Sequence, residues 1–159
     1  MEKTFEVSPI GRFYVDGEET GIRLNAAYAP ALRALEGFGH VVVLWWFHQN
    51  DDPALRAVLE APCPYKRGPA VMGTFATRSP YRPNPIGMTV SQVLAVDPAR
   101  GTLRIAYTDA LDGTPVLDIK PYTPSLDRVE RPQVPAWCAH WPDSLETSED
   151  FDWVSEFNF

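Results

Sequence analysis

Cysteine and histidine are both scarce: two Cys (Cys63, Cys138) and three His (His40, His48, His140) in 159 residues. The cysteines are far apart and in no metal-ligand spacing. Neither a disulfide framework nor a metal site is expected, and a reducing cytoplasm is the default setting. Long hydrophobic runs are missing too. Val41–Phe47 falls well short of the ~18 apolar residues that span a bilayer, and it ends at His48-Gln49. The N-terminus, Met-Glu-Lys-Thr-Phe, has no basic-then-apolar signal pattern. There is no Gly-x-Gly-x-x-Gly, no P-loop, no His-Glu-x-x-His and no Ser nucleophile elbow, which argues against a Rossmann-type nucleotide site. Charge of one sign is absent from two stretches. Ala61 to Val96 holds no acid while Lys66, Arg67, Arg78 and Arg82 give it +4; the last seventeen residues hold no base, and Asp143, Glu146, Glu149, Asp150, Asp152 and Glu156 give them −6. The net charge of −7 disfavours non-specific nucleic-acid binding by the whole chain. One basic stretch remains suited to anions, phosphates foremost.

Proline, by contrast, is plentiful at 16 residues, and it is concentrated where the chain is most distinctive. In Gly73–Met88, Pro80, Pro83 and Pro85 fix φ and hold their predecessors extended. Between expected strands at Val71–Ala76 and Ile86–Val96, this stretch is a stiff connection presenting Arg78, Tyr81, Arg82 and Asn84. Phe5–Val15 reads as a strand interrupted near Pro9 and closed by an Asp16-Gly17 turn. Pro30 at a first helical position and Gly37 as a stop predict a two-turn helix; Asp52 and Pro53 open a second short one. His40–Phe47 has the pattern of a strand buried on both faces. Thr102–Thr108 alternates, with Leu103, Ile105 and Tyr107 on one face, and Val116–Tyr122 is a last strand. The tail places Phe151, Trp153, Phe157 and Phe159 at odd positions, as an extended segment on an apolar surface would. The whole predicts a mainly antiparallel β domain, barrel or sandwich, with a few short helices. Residues 1–142 are expected to form that domain and 143–159 an acidic aromatic tail, with no separate C-terminal domain.

Polar residues gather at four strand ends: His48-Gln49, Arg78 to Asn84, Asp109 to Gly113, and Asp118 to Tyr122. Such ends beside an apolar core are where sites form. Phe75-Ala-Thr-Arg-Ser-Pro-Tyr-Arg-Pro-Asn-Pro-Ile-Gly-Met88, with Phe47-His-Gln49 upstream and Asp112-Gly-Thr-Pro-Val-Leu-Asp-Ile-Lys-Pro-Tyr122 downstream, closely resembles the TsaA-like (TrmO) family. The likeness runs from Pro9-Ile10-Gly11 to about Pro124 and includes Leu35-Glu-Gly-Phe-Gly-His40. Members are S-adenosylmethionine-dependent methyltransferases acting on N6 of threonylcarbamoyladenosine beside the tRNA anticodon. The resemblance implies a small β-barrel, usually a homodimer, with the cofactor near the dimer interface. It assigns cofactor contacts to His48, Gln49, Arg78, Met88 and Ala110, Leu111, Asp112, Gly113. A guanidinium at Arg78 suits the cofactor's carboxylate as a bidentate partner. Lys66, Arg67 and Arg82 would hold phosphates, Tyr81 would stack on a base, and Asn84 would face the substrate. Asp118, Tyr122 and His48 are the candidates to take the proton from the acceptor nitrogen.

Two departures stand out. Members with tRNA activity carry a Pro-Arg-Gln segment in the loop after the first strand; Gly21–Asn25 here keeps only Arg23. They also often carry a C-terminal tRNA-gripping domain. The alternatives are a methyltransferase for a small molecule or another RNA, and a non-catalytic cofactor-binding regulator.

Overall fold

Short alternating runs cut by Gly and Pro turns close into a barrel. A computed structural model describes Lys3–Phe159. The strands are β1 (Gly11–Asp16), β2 (Glu19–Leu24), β3 (His40–Trp46), β4 (Glu60–Pro62), β5 (Val71–Gly73), β6 (Ile86–Asp97), β7 (Thr102–Ile105) and β8 (Pro115–Pro121). The closed barrel has the order β1-β2-β7-β6-β3-β8 with antiparallel pairings throughout, and β4-β5 is a separate two-stranded sheet. Helices are short, as expected. By contacts the chain forms two units: the barrel, from the chain up to Asp52 plus Asn84–Arg128, and a second unit, from Pro53–Pro83 plus Val129–Phe159. The tail is thus part of a discontinuous unit and not an appendage to a domain ending near residue 142. Among the described residues no helix is long and apolar enough to cross a membrane.

The barrel interior is Phe13, Ile22, Val41, Val43, Trp45, Leu103, Ile105 and Val116, each at most 3% exposed. Every second residue of β3 points inward; Val42, Leu44 and Trp46 on its outer face stay half-buried. The expected two-sided burial fails because a closed barrel has only one interior. Tyr107 also leaves the predicted face: β7 ends at Ile105, and Tyr107 is 64% exposed. The segment around Pro30 is a 3₁₀ helix, Ala26–Leu32, with Pro30 inside it and Leu32 buried, so Pro30 does not start an α-helix. Thr74–Ala76, expected as strand, is likewise a 3₁₀ turn. The β1–β2 connection is a tight hairpin in which Asp16 pairs with Glu19 and Gly17 takes φ 69°. Arg23 lies within β2, opposite Arg12, with its guanidinium 4.3 Å over the Tyr14 ring. The region matched to the Pro-Arg-Gln loop is therefore strand.

The second unit has its own aromatic core. Tyr65 stacks on Trp137 at 5.1 Å and meets Trp141 and Phe157 at 5.3 and 5.6 Å. Trp153 bridges Trp141, Phe151 and Phe157. The tail is not a plain extended strand: Ser144 caps a helical turn at Leu145–Ser148, and Trp153–Ser155 is a 3₁₀ turn. Both cysteines are free thiols.

Gly87 explains one letter of the Ile86-Gly87-Met88 triplet. A Cβ there would lie 2.5 Å from the Trp45 indole, which cannot retreat because its Nε1 donates to Thr89 Oγ1 at 3.0 Å. Gly87→Ala should lower stability by about 1–3 kcal/mol through overpacking, read as a drop in the denaturant midpoint. An unchanged midpoint would show that Trp45 has room to move.

Candidate functional site

Strand directions decide which sequence clusters meet. β1 and β3 each pair antiparallel with β8, so they run parallel and end at the same mouth of the barrel. β6, antiparallel to β3, begins there. That mouth carries His48 and Gln49, both exposed, directly after β3. It also receives the loop Ala106–Gly113, which descends beside β6: Ala106 N donates to Gln92 O, Tyr107 N to Ser91 Oγ, and Thr89 Oγ1 to Asp109 Oδ1. The loop is then sewn to β1. Val15 N donates to Asp112 Oδ1 at 3.0 Å, Gly113 N to Phe13 O, and Arg12 Nη1 to Gly113 O at 2.8 Å. Gly113 takes φ 75°, which favours glycine. His48, Gln49 and Ala110 to Gly113 are thus brought to one mouth.

Met88 and Leu111 supply apolar surface there, 42% and 56% exposed. Ala110 is buried, and the loop is rigid because its backbone is bonded to the barrel on both sides. This donor set fits a ligand with an aromatic base and a polar edge: two exposed apolar side chains, an imidazole, an amide and a carboxylate already held by a backbone N–H. Burial, and secondarily the nearby Asp109 carboxylate, raises the Tyr107 phenol above its ordinary value.

The proton acceptors proposed from sequence are distributed differently. On the outer face Leu44 is flanked by Met88 on β6 and Asp118 on β8, which puts those two about 10 Å apart at ~4.8 Å per strand spacing. Asp118 is ion-paired to Lys120 at 2.7 Å, and the hydrogen bond from Lys120 raises the ammonium's pKa. Tyr122 is at the opposite mouth: its N donates to His40 O and its ring lies 6.3 Å from that of His40. At ~3.3 Å per residue it is roughly 25 Å from His48 of the same chain. Tyr122 therefore does not join the cluster. Asp109, which sequence reasoning grouped with the loop without a role, does; its one signal was its place in the Asp109–Gly113 cluster. At the far mouth a cavity of about 320 Å³ opens between the Ala26–Leu35 segment and β8, lined by Leu24, Leu32, Leu35 and Ile119, with Arg33 and Asp118 at its polar edge.

The second unit holds Lys66, Arg67, Arg78, Tyr81 and Arg82. The Arg78 turn is closed by its own bonds: Thr77 Oγ1 donates to Thr74 O, Ser79 N to Thr77 Oγ1, and Tyr81 N to Ser79 Oγ. Arg82 braces the same turn. Its Nη1 donates to Thr77 O at 3.3 Å and Ser79 O at 3.2 Å, bracketing Arg78. Arg78 itself is exposed, with a guanidinium near enough to Tyr65 to oppose the upward push of burial on that phenol. Tyr81 is 44% exposed, and Phe75, which no sequence signal singled out beyond its place in the motif, is 82% exposed. Asn84 falls in the barrel unit, just before β6.

Residues 3–128 match the tRNA-methyltransferase O N-terminal domain family. An S-adenosyl-L-methionine-binding protein of Archaeoglobus fulgidus is 40% identical over 104 residues, 65% of this chain and 69% of that one. The tRNA (adenine(37)-N6)-methyltransferase of Escherichia coli is 44% identical over 107 residues, 65% of this chain but 45% of the enzyme. The crystal structure of TrmO from Pseudomonas aeruginosa superposes with a TM-score of 0.63 at 31% identity, covering 82% of this chain and 62% of that one. The chain thus spans less than two thirds of the length of these two methyltransferases. It belongs, through residues 3–128, to the tRNA-methyltransferase O N-terminal domain family.

Proposed function

We propose that this protein binds S-adenosylmethionine at the β3 mouth of the barrel and methylates an adenine nitrogen in tRNA, specifically N6 of threonylcarbamoyladenosine beside the anticodon. The observation that carries the reading is that His48-Gln49 and the Ala110–Gly113 loop lie at the same mouth of the barrel, in a chain of this family. The cofactor supplies a methyl group already activated as a sulfonium, so the protein's contribution is positioning. Met88 and Leu111 cover the adenine, and the backbone of Asp112 and Gly113 holds its edge or the ribose. By the family resemblance, Arg78 is the candidate partner for the cofactor's carboxylate, as a bidentate pair. His48 and Asp109 are the groups at this mouth able to take the acceptor's proton; Asp118 lies farther along the outer face.

The half-exposed stripe of Leu44 and Trp46, continued by Ile86 and Met88, supports a homodimer with the cofactor beside the interface. With RNA as substrate the protein works in the cytoplasm. The tight β1–β2 hairpin favours a second reading: without a loop there, the acceptor is another RNA or a small molecule. Mass spectrometry of tRNA nucleosides from cells with and without the gene decides. Loss of the methylated threonylcarbamoyl nucleoside is expected, and an unchanged profile transfers the weight to the second reading.

Arg78→Ala should reduce S-adenosylmethionine affinity at least about 100-fold, as loss of a charge-assisted bidentate pair does. Titration calorimetry checks it, and unchanged affinity removes Arg78 from the site. Arg82→Ala should weaken the same affinity about tenfold by loosening the Thr77–Ser79 turn, with Arg82→Lys recovering most of it. Cofactor affinity untouched by Arg82→Ala would return Arg82 to a direct contact with substrate.

A further inference from the structure

The C-terminal segment lies beyond the residues matched to the family, and it reads as more than an acidic tail. Its contacts converge on one short loop of the second unit, the one bearing Lys66 and Arg67. Glu156 is the pin. Only 5% exposed, it accepts hydrogen bonds from Trp141 Nε1 at 3.0 Å and His140 Nε2 at 2.8 Å. Its backbone carbonyl accepts Lys66 N at 3.0 Å. Either side of it the tail continues to grip: Tyr65 forms a bridge pair with Phe157, Asn158 N donates to Pro64 O, and Asn158 Nδ2 to Cys63 O at 2.7 Å. Tyr65 is held among three aromatic rings from the same segment, those of Trp137, Trp141 and Phe157. Every residue from Cys63 to Lys66 is therefore bonded to or packed on the tail, while the side chains of Lys66 and Arg67 remain exposed.

The charge pattern fits a clamp. Glu156 is the tail's buried acid, and its charge is spent on donors inside the unit. The hydrogen bonds from Trp141 and then His140 hold its carboxyl below the ordinary Glu range, with Arg67 adding attraction. Asp143, Glu149, Asp150 and Asp152 are exposed. The grip itself comes from aromatic faces and backbone bonds.

We propose that the C-terminal segment Trp137–Phe159 is a clamp, pinned by Glu156, that pre-organises the Tyr65–Arg67 loop for the phosphates of the substrate RNA. This rests on the RNA-methyltransferase reading above. A loop held in one conformation loses less freedom when it binds, so its two cations act with more effect than on a free chain. Glu156 is a positioning residue in this account: it touches no substrate and acts through Lys66 and Arg67.

The test is fluorescence anisotropy of a labelled anticodon stem-loop titrated with full-length protein at several salt concentrations, with cofactor affinity measured alongside. Lys66→Ala/Arg67→Ala should weaken RNA binding and lower the salt slope by about two, one for each lost phosphate contact. Glu156→Ala should weaken RNA binding about tenfold with cofactor affinity kept. Glu156→Gln, whose amide oxygen accepts the indole N–H and whose NH₂ donates to a neutral His140, should restore it. Adding Glu156→Ala to the loop double variant should produce no further loss, because both act through the same contact. If Glu156→Ala fails to fold, Trp141→Phe removes the indole donor while keeping a ring in place and should give the same RNA defect. Wild-type RNA affinity in the folded Glu156 or Trp141 variant, or full additivity with the loop variant, overturns the clamp alone. A wild-type protein with no affinity for the stem-loop overturns both the clamp and the reading it rests on.

Discussion

Trp45 is where barrel packing becomes site geometry. The indole fills the interior beneath Gly87, meets Phe13 edge-on at 6.3 Å and Phe47 at 4.4 Å, and donates its N–H to Thr89. The Thr89 hydroxyl in turn bonds Asp109 and shares a contact with Thr108. One side chain therefore couples the hydrophobic core to the loop that builds the candidate site. The coupling is strong because both ends are constrained: an aromatic ring with no spare volume, and a hydroxyl whose alternatives are buried away from water.

From that anchor the two sets of candidate ligand groups follow the same physical rule. Each is carried by a segment without regular structure whose conformation is nonetheless set by local hydrogen bonds. The Ala106–Gly113 loop is tied to β6 on one side and β1 on the other; the Arg78 turn is tied to itself through Thr77, Ser79 and Arg82. Methyl transfer from an activated donor needs orientation far more than it needs acid or base strength. A scaffold that spends its polar groups on holding loops is matched to that demand. Tyr122 and the His40 end, tied to each other at the far mouth, serve the barrel and not this mouth.

Two features of the chain stand apart from the site loops. The hairpin between β1 and β2 is as short as a hairpin can usefully be, and the segment after residue 128 folds back onto residues 63–66 within the second unit. There a compact aromatic cluster packs on the basic loop. It draws its energy from ring packing, with the tail's many carboxylates left in water, where they are weakly felt through screening.

The sequence by itself determined the class of fold, the family, and the identity of most groups at the site. The apolar run of β3, the alternation of β7, the proline-stiffened Gly73–Met88 stretch and the Asp112-Gly113 turn are local properties, and local properties are written in residue order. Tertiary structure decided everything that depends on closure and on chain return. A barrel has one interior, so β3 buries one face where its composition promised two. Strand direction put Tyr122 at the mouth opposite His48, although both were candidates for the reaction's base. Arg82 read as a phosphate-holding cation, with nothing to show the turn it also braces, and Glu156 as one more acid in an acidic tail. A side chain's type is local, but the partner that turns a charge into a clamp or a pin comes from elsewhere in the chain. The carboxylate of Glu156 is held by donors fifteen and sixteen residues away, and its backbone carbonyl by Lys66 N ninety residues away, separations that no local pattern encodes.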